Sequence, residues 1–237
     1  MGLTLSIGVA QTLMIHLLLY ILLKFRVSLS YRGKKIRFYI FDRMLFGENK
    51  LNLLWHSKIS KIVDRNTDTD FFTVNIARHR LKLINQWAWM LLREWPTWQK
   101  FYAPIPLEGK TVLDVGAGCG ETALLFHLHG ASKIIAIEPN SQAVECLVEN
   151  AKVNDWNVEI VPEYFSLEHL KYDFDFMKMD IEGGESVLLD APDLDKPAIV
   201  EVHNTHVLKQ FLARGYKLLH TFTDGKYLIE KHIERSL

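Results

Sequence analysis

The chemistry-bearing residues begin with a glycine loop. Thr111–Val115 is a short apolar run that ends in Gly116-Ala117-Gly118-Cys119-Gly120, and a helical pattern opens at Glu121. Glycines let the backbone approach a ligand closely, and a helix N-terminus favours a carboxylate or other anion. Asp114 adds a negative charge suited to an ammonium or sulfonium group. The dinucleotide fingerprint needs Gly or Ala at its last position, and here that position is Glu121, an acid that would repel a pyrophosphate. Glu138 lies 22 residues after Gly116, at the end of the next apolar run. An acid there can accept hydrogen bonds from both hydroxyls of a ribose. These residues point to a nucleoside ligand with a cationic centre.

Positioning such a loop takes a parallel sheet. From Gly109 onward strand and helix patterns alternate, with strands expected at Thr111–Val115, Lys133–Ile137, Val158–Val161, Phe174–Met179 and Ala198–Val202. Helices are expected at Glu121–His129, stopping at Gly130, and at Val207–Arg214, before Gly215. Another follows Asn140 or Ser141, either of which can cap it, and its apolar face reads as Val144, Leu147, Val148 and Ala151. Tyr216–Thr223 and Lys226–Lys231 flank Asp224-Gly225, a strong hairpin signal. The expectation is an α/β, Rossmann-like fold: a seven-stranded, mostly parallel sheet with an antiparallel terminal hairpin, plus an N-terminal helix and cap region.

At this point the residues carry a family resemblance. Asp114–Gly120 with Glu138 resembles the cofactor site of class I S-adenosylmethionine-dependent methyltransferases. Lys178-Met-Asp180-Ile-Glu182-Gly183-Gly184-Glu185 resembles the K-x-D-x-E-G-x-E signature of the FkbM family. Val200-Glu201-Val202-His203 is similar to that family's next strand, and Gly215-Tyr216 to its following one. The resemblance spans about residues 104–230. It implies S-adenosyl-L-methionine as cofactor, held by Asp114, Gly116, Ala117, Gly118, Gly120, Glu121, Glu138, Pro139, Glu163, Tyr164 and Asp180. Tyr164 departs from the small residue that the family pattern usually has there. The implied reaction is O-methylation of a small-molecule or sugar hydroxyl. No N-P-P-Y-like motif follows the fourth strand, which argues against methylation of base amines.

A hydroxyl acceptor needs a base or hydrogen-bond acceptor near its proton. Asp180, Glu182 and His203 end adjacent expected strands, so they can converge, and they are the expected catalytic set. His203 alone has an unperturbed pKa near neutrality; a structural histidine is the alternative. Asp180, Glu182, Glu201 and His203 could also hold a divalent cation, but their spacing lacks a dedicated metal motif, and no metal is expected. Glu185 reads as a cap of the following helix. Cys119 reads as a small filler of the loop.

Length and composition fit this organisation. The chain has 237 residues, 49% of them hydrophobic, enough for a packed core and too polar for a polytopic membrane protein. Its two cysteines, Cys119 and Cys146, form no metal-type spacing, so a reducing compartment is the default. Charge divides unevenly: residues 1–100 carry 16 Lys and Arg against 6 Asp and Glu, and the rest carry 12 against 22. Three segments follow: 1–23, 24–103 and 104–237.

Gly2–Leu23 has no charged residue, and a helix of that length would span about 33 Å, close to a bilayer core. Lys24, Arg26, Arg32, Lys34, Lys35 and Arg37 follow, a cytoplasmic flank by the positive-inside rule. A membrane anchor on the cytoplasmic face is expected, with a buried or homodimer-forming helix, or a removed or lipidated leader, as alternatives. Segment 24–103 is basic and Trp-rich. A hairpin is expected over Val27–Asp42, and a helix interrupted at Pro96 over Asn85–Tyr102. The basic half also keeps an RNA methyltransferase in view, although nucleic acid is not the expected partner. A non-catalytic scaffold that binds the cofactor is the other rival.

Overall fold

A computed structural model describes residues 26–31, 34–39, 71–76, 78–84, 94–95 and 98–233. Segment 1–23, and most of the interrupted helix expected over Asn85–Tyr102, lie outside the described residues. Among the described residues no helix is long and apolar enough to cross a membrane. The chain divides into two compact units, Met1–Pro96 and Thr97–Leu237.

The first unit contains a four-stranded antiparallel sheet of β1 (Arg26–Tyr31), β2 (Lys34–Tyr39), β3 (Phe71–Ile76) and β4 (His79–Ile84), ordered β2-β1-β3-β4. The hairpin expected near Val27 is present, but pairing reaches Tyr31 with Lys34, so its second strand starts before Ile36. The β3–β4 hairpin adds two strands to the hairpin expected in the cap region. Its signal is the alternation in β4, where Leu81 and Leu83 are buried and Arg80 is exposed.

The second unit is built on seven strands. β5 (Thr111–Val115), β6 (Lys133–Ile137), β7 (Val158–Val161), β8 (Phe176–Met179), β9 (Ala198–Val202), β10 (Lys217–Thr221) and β11 (Tyr227–Lys231) are ordered β10-β11-β9-β8-β5-β6-β7. β7, β6, β5, β8 and β9 are parallel neighbours, and β11 pairs antiparallel with β9 and β10. Apolar runs such as Lys133–Ile137, buried over four of five positions, suit a sheet covered on both faces. The core packs Leu113, Val115, Ile135, Met177, Val200, Phe211 and Ile229 together. After β7 the chain returns to the other side of β5, so the strand order reverses between β5 and β8. Ligands bind at such a crevice, beyond the carboxyl ends of the strands.

Helices α1 (Glu121–Leu128), α2 (Ser141–Asn154) and α3 (Thr205–Ala213) complete the unit. Asn140 caps α2 by accepting from the Gln142 and Ala143 N–H groups, and Asn204 caps α3 in the same way. The buried face of α2 is Ala143, Cys146, Leu147 and Asn150, each one step earlier than expected; Val148 is 49% exposed. The polar member explains the shift. Asn150 Nδ2 donates to the Cys119 carbonyl at 2.8 Å, so α2 turns this amide inward and braces the glycine loop.

Candidate active site

The glycine loop is shaped by close backbone approach. Gly116 has φ +77°, and a Cβ there would lie 1.9 Å from the Asp180 carbonyl oxygen. Only glycine lets the ends of β5 and β8 come this close. The Gly116 and Ala117 N–H groups both donate to the Ile137 carbonyl at the end of β6. Glu138, the next residue, accepts from the Gly118 N–H at 2.9 Å through Oε2 and from the Asn140 N–H at 2.8 Å through Oε1. Each carboxylate oxygen can accept more than one hydrogen bond, so both keep capacity for ligand hydroxyls. Pro139 joins Glu138 to the cap of α2.

Two acids of the loop differ from their sequence-based expectation. Asp114 is fully buried and does not line the cradle. It accepts from Thr122 Oγ1 at 2.5 Å and sits 3.3 Å from Lys178 Nζ. Lys178 also donates to the Gly116 carbonyl at 2.8 Å. Burial opposes the charge on Lys178, but Asp114, Asp180 and Glu201 outweigh it and hold its pKa above the ordinary value. Asp114 therefore supports the loop from beneath. Glu121 lies against Gly118, and burial pushes its carboxyl up to about 8. It is mostly neutral at pH 7, which removes much of the repulsion expected from an acid at this place.

Register assembles a second cluster. Lys178 pairs with Ile199 and Met179 with Val200, so Asp180 comes beside Glu201 one residue on. Glu201 faces Leu228 and Val202 faces Tyr227, so the next step sets His203 opposite Lys226. Side chains two apart on a strand share a face, and the cluster gathers there. Tyr102, from the helical turn at 98–101, reaches the same place. Its hydroxyl lies 2.8 Å from Glu201 Oε2 and 3.2 Å from Asp180 Oδ2.

Asp180, Glu182 and His203 are brought together: one ligand-capable atom from each lies within 4.8 Å of the others. Glu182 takes a left-handed backbone conformation, φ +50°, and its Oε2 is 3.2 Å from His203 Nε2. Glu201 Oε1 is 3.5 Å from the same nitrogen, and Glu185 Oε1 is 3.4 Å from Nδ1. Neither ring nitrogen has a well-directed hydrogen bond, so these contacts are electrostatic.

The charges reverse the expected acid–base roles. Burial opposes protonation of His203, but Glu182, Glu185 and Glu201 outweigh it and lift its pKa to about 11. These charges favour the protonated form of His203 at neutral pH and disfavour it as the base. Asp180 is the group near neutrality. Burial first, then the Glu201 charge, raise it to about 7 against the pull of Lys178. Its Oδ1 is buried with no hydrogen-bond partner. Glu182 is pulled down to about 2, chiefly by His203.

Glu185 stands in the first turn of the 3₁₀ helix Glu185–Asp190, where an acid is expected. It is buried and accepts the His203 backbone N–H at 2.5 Å, fixing the end of β9. Glu163 and Tyr164 follow β7. Glu163 is 3.6 Å from His169, and Tyr164 is 83% exposed. Cys119 is buried, in keeping with a filler. Tyr102, Asn150 and Lys226 were missed as site residues. Only Lys226 had a local signal, its place beside the Asp224-Gly225 turn.

Comparison with known proteins addresses the same region. Residues 100–181 match the model of the ribosomal protein L11 methyltransferase (PrmA) family. The ribosomal protein L11 methyltransferase of Aquifex aeolicus is 33% identical over 119 residues, 48% of this chain and 49% of that protein. That of Thermotoga maritima is 47% identical over 51 residues, 22% of this chain and 19% of that protein. The chain thus spans about a fifth to a half of the length of these relatives. In structure it is similar to M. jannaschii TYW2 in complex with AdoMet, with a TM-score of 0.47 and 18% identity over 69% of this chain and 85% of that one.

Sheet order, glycine loop and matched segment are those of a class I S-adenosylmethionine-dependent methyltransferase domain; the match does not extend to the narrower FkbM family. The residues fit the cofactor. Glu138 keeps acceptor capacity for a ribose diol, and the glycines leave backbone at the cradle surface.

Proposed function

We propose that this chain is an S-adenosylmethionine-dependent methyltransferase with an oxygen nucleophile, a hydroxyl of a glycan, lipid-linked sugar or small metabolite. The observation that carries this is Asp180: a carboxylate with one unpartnered buried oxygen and a backbone carbonyl packed against the glycine loop, its pKa raised by burial and by the Glu201 charge. When bound, the cofactor supplies a methyl group activated by a sulfonium. Glu138 accepts the ribose hydroxyls, and the glycines of residues 116–120 let the rest of the cofactor approach the backbone closely. Asp180 Oδ1 accepts the acceptor's hydroxyl proton, and the Tyr102 hydroxyl orients Asp180 and Glu201. His203 fixes the charges of Glu182 and Glu201 and takes no proton itself. A general base of this kind contributes about 10²–10⁴-fold. The Lys178–Glu185 signature keeps the FkbM resemblance as the finer reading.

A second reading is a protein side-chain acceptor, favoured by the relatives named as ribosomal protein L11 methyltransferases. The family match ends at residue 181, before Glu182, Glu185, Glu201, His203 and Lys226, so it bears mainly on the cofactor side. The test is incubation of the full chain with native extract and isotope-labelled methyl donor. Label in a base-stable small molecule or glycan supports the hydroxyl reading. Label only in protein overturns it, and no label with any fraction overturns the enzyme. The uncharged Gly2–Leu23 stretch and its basic flank support attachment to the cytoplasmic face of a membrane. Release of the chain by a carbonate wash would overturn that attachment.

A further inference from the structure

The cluster at the ends of β8 and β9 is rich in carboxylates. Asp180, Glu182, Glu185 and Glu201 surround His203, while Lys178 is engaged beneath by Asp114 and the Gly116 carbonyl. One cation enters from the hairpin. Lys226 Nζ is 3.1 Å from Glu201 Oε1 and 3.5 Å from Glu182 Oε1. Its position is built rather than accidental. Gly225, at φ +90°, closes the turn, the Phe222 N–H donates to the Lys226 carbonyl, and the Lys226 N–H reaches Asp224 Oδ1. The β9–β11 register then sets Lys226 opposite His203, on the face that carries Glu201.

We propose that Lys226 is the resident cation of this site, a positioning residue that binds Glu182 and Glu201 together and stands in the charge position a divalent ion would otherwise occupy. The terminal hairpin is then part of the functional machinery and not only the edge of the sheet. Glu182, half-exposed and in a left-handed conformation, is held between His203 and Lys226. Without Lys226, four carboxylates would share the His203 imidazolium and the buried Lys178, which Asp114 also engages. Oxygen-rich clusters with excess negative charge suit hard divalent cations. Burial opposes the Lys226 charge, but Glu201 and Glu182 outweigh it and hold its pKa above the ordinary lysine value.

The consequence for chemistry rests on the acceptor-side role proposed above, but the test does not. Mn²⁺ is titrated into the full chain and free ion is followed by electron paramagnetic resonance. The wild type should bind no stoichiometric Mn²⁺. Lys226→Met should gain one site per chain, at least about tenfold tighter than any wild-type binding, since an adjacent positive charge is removed. Lys226→Arg should restore the wild-type result, and Lys226→Met with Glu182→Gln should lose the gained site. Lys133→Met, which removes only a surface partner of Glu159, should gain nothing. Retained S-adenosylmethionine binding shows that each variant is folded; Lys226→Gln serves if Lys226→Met is not. Stoichiometric Mn²⁺ binding by the wild type overturns the proposal, and so does absence of a gained site in both folded variants. Either result leaves the methyltransferase reading standing, because that reading fails only on labelled-donor turnover.

Discussion

The two halves of the candidate site are made of different material. The cofactor side is mostly backbone, with N–H groups and glycines of residues 116–120 around Glu138, contributed by β5, β6 and their loops. The other side is polar and charged side chains: Tyr102, Asp180, Glu182, Glu201, His203 and Lys226, drawn from four separate parts of the chain. Backbone geometry is encoded by which residues are glycine, so it can be read locally. A cluster of charges has properties that none of its members has alone, and His203 shows this most clearly.

The sharpest way to break the comparison is to remove the backbone fit itself. Gly116→Ala would put a Cβ 1.9 Å from the Asp180 carbonyl at a positive φ. Overpacking and backbone strain together should cost about 2–4 kcal/mol and abolish cofactor binding. Chemical denaturation and calorimetry with S-adenosylmethionine measure the two losses. A stable, binding-competent variant would show that the cradle does not depend on this approach.

Next comes a side-chain change that should leave the backbone half alone. Asp180→Asn is expected to lower methyl transfer by about 10²–10⁴-fold while cofactor affinity moves far less. Once the acceptor is identified, single-turnover transfer of labelled methyl checks the first, and calorimetry the second. Equal loss of both would mean that Asp180 serves the cofactor. On the opposite half, Glu138→Gln should weaken cofactor binding by roughly 1.5–3 kcal/mol per charged hydrogen bond lost. Unchanged affinity there would remove Glu138 from the cradle.

The pH dependence separates the halves more finely. His203 is held at about 11 in the folded chain, above its unfolded value. Its contribution to stability is fully present below pH about 6.5 and is lost as pH rises towards about 11. Glu182 is depressed to about 2, so its contribution is present above its unfolded value and is lost as pH falls through about 2. Denaturation midpoints of wild type and His203→Gln should converge at high pH. Ring NMR should show His203 protonated at pH 8, and a midpoint near 6.5 would restore it as the base. The smallest effect tests the helix face: Val148→Ser should change stability within about 0.5 kcal/mol, whereas Leu147→Ala should cost about 2–5.

Much of the second unit was legible in the sequence because parallel strands buried on both faces are continuous apolar runs. β5, β6 and β9 stand where those runs stand, the partly exposed edge strand β7 stands at Val158–Val161 as expected, and Asp224-Gly225 marks the terminal hairpin. The glycine loop was legible for the same local reason, as was the Asn140 cap. The face of α2 was misjudged because Asn150 is polar yet buried, satisfied by a carbonyl 31 residues away. The β3–β4 hairpin was missed although the alternation of β4 was there to be read.

The sequence by itself determined the strand-and-helix order and the residue types at the strand ends, because both follow from short-range periodicity and glycine's freedom at φ > 0. Only the tertiary structure decided what those side chains do. Register set Asp180 beside Glu201 and His203 opposite Lys226, and burial lowered the local dielectric so that neighbouring charges govern one another. That is why the pKa of a histidine ordinarily near neutrality is raised by its carboxylate neighbours, while that of an aspartate normally ionised at pH 7 is raised by burial and by Glu201.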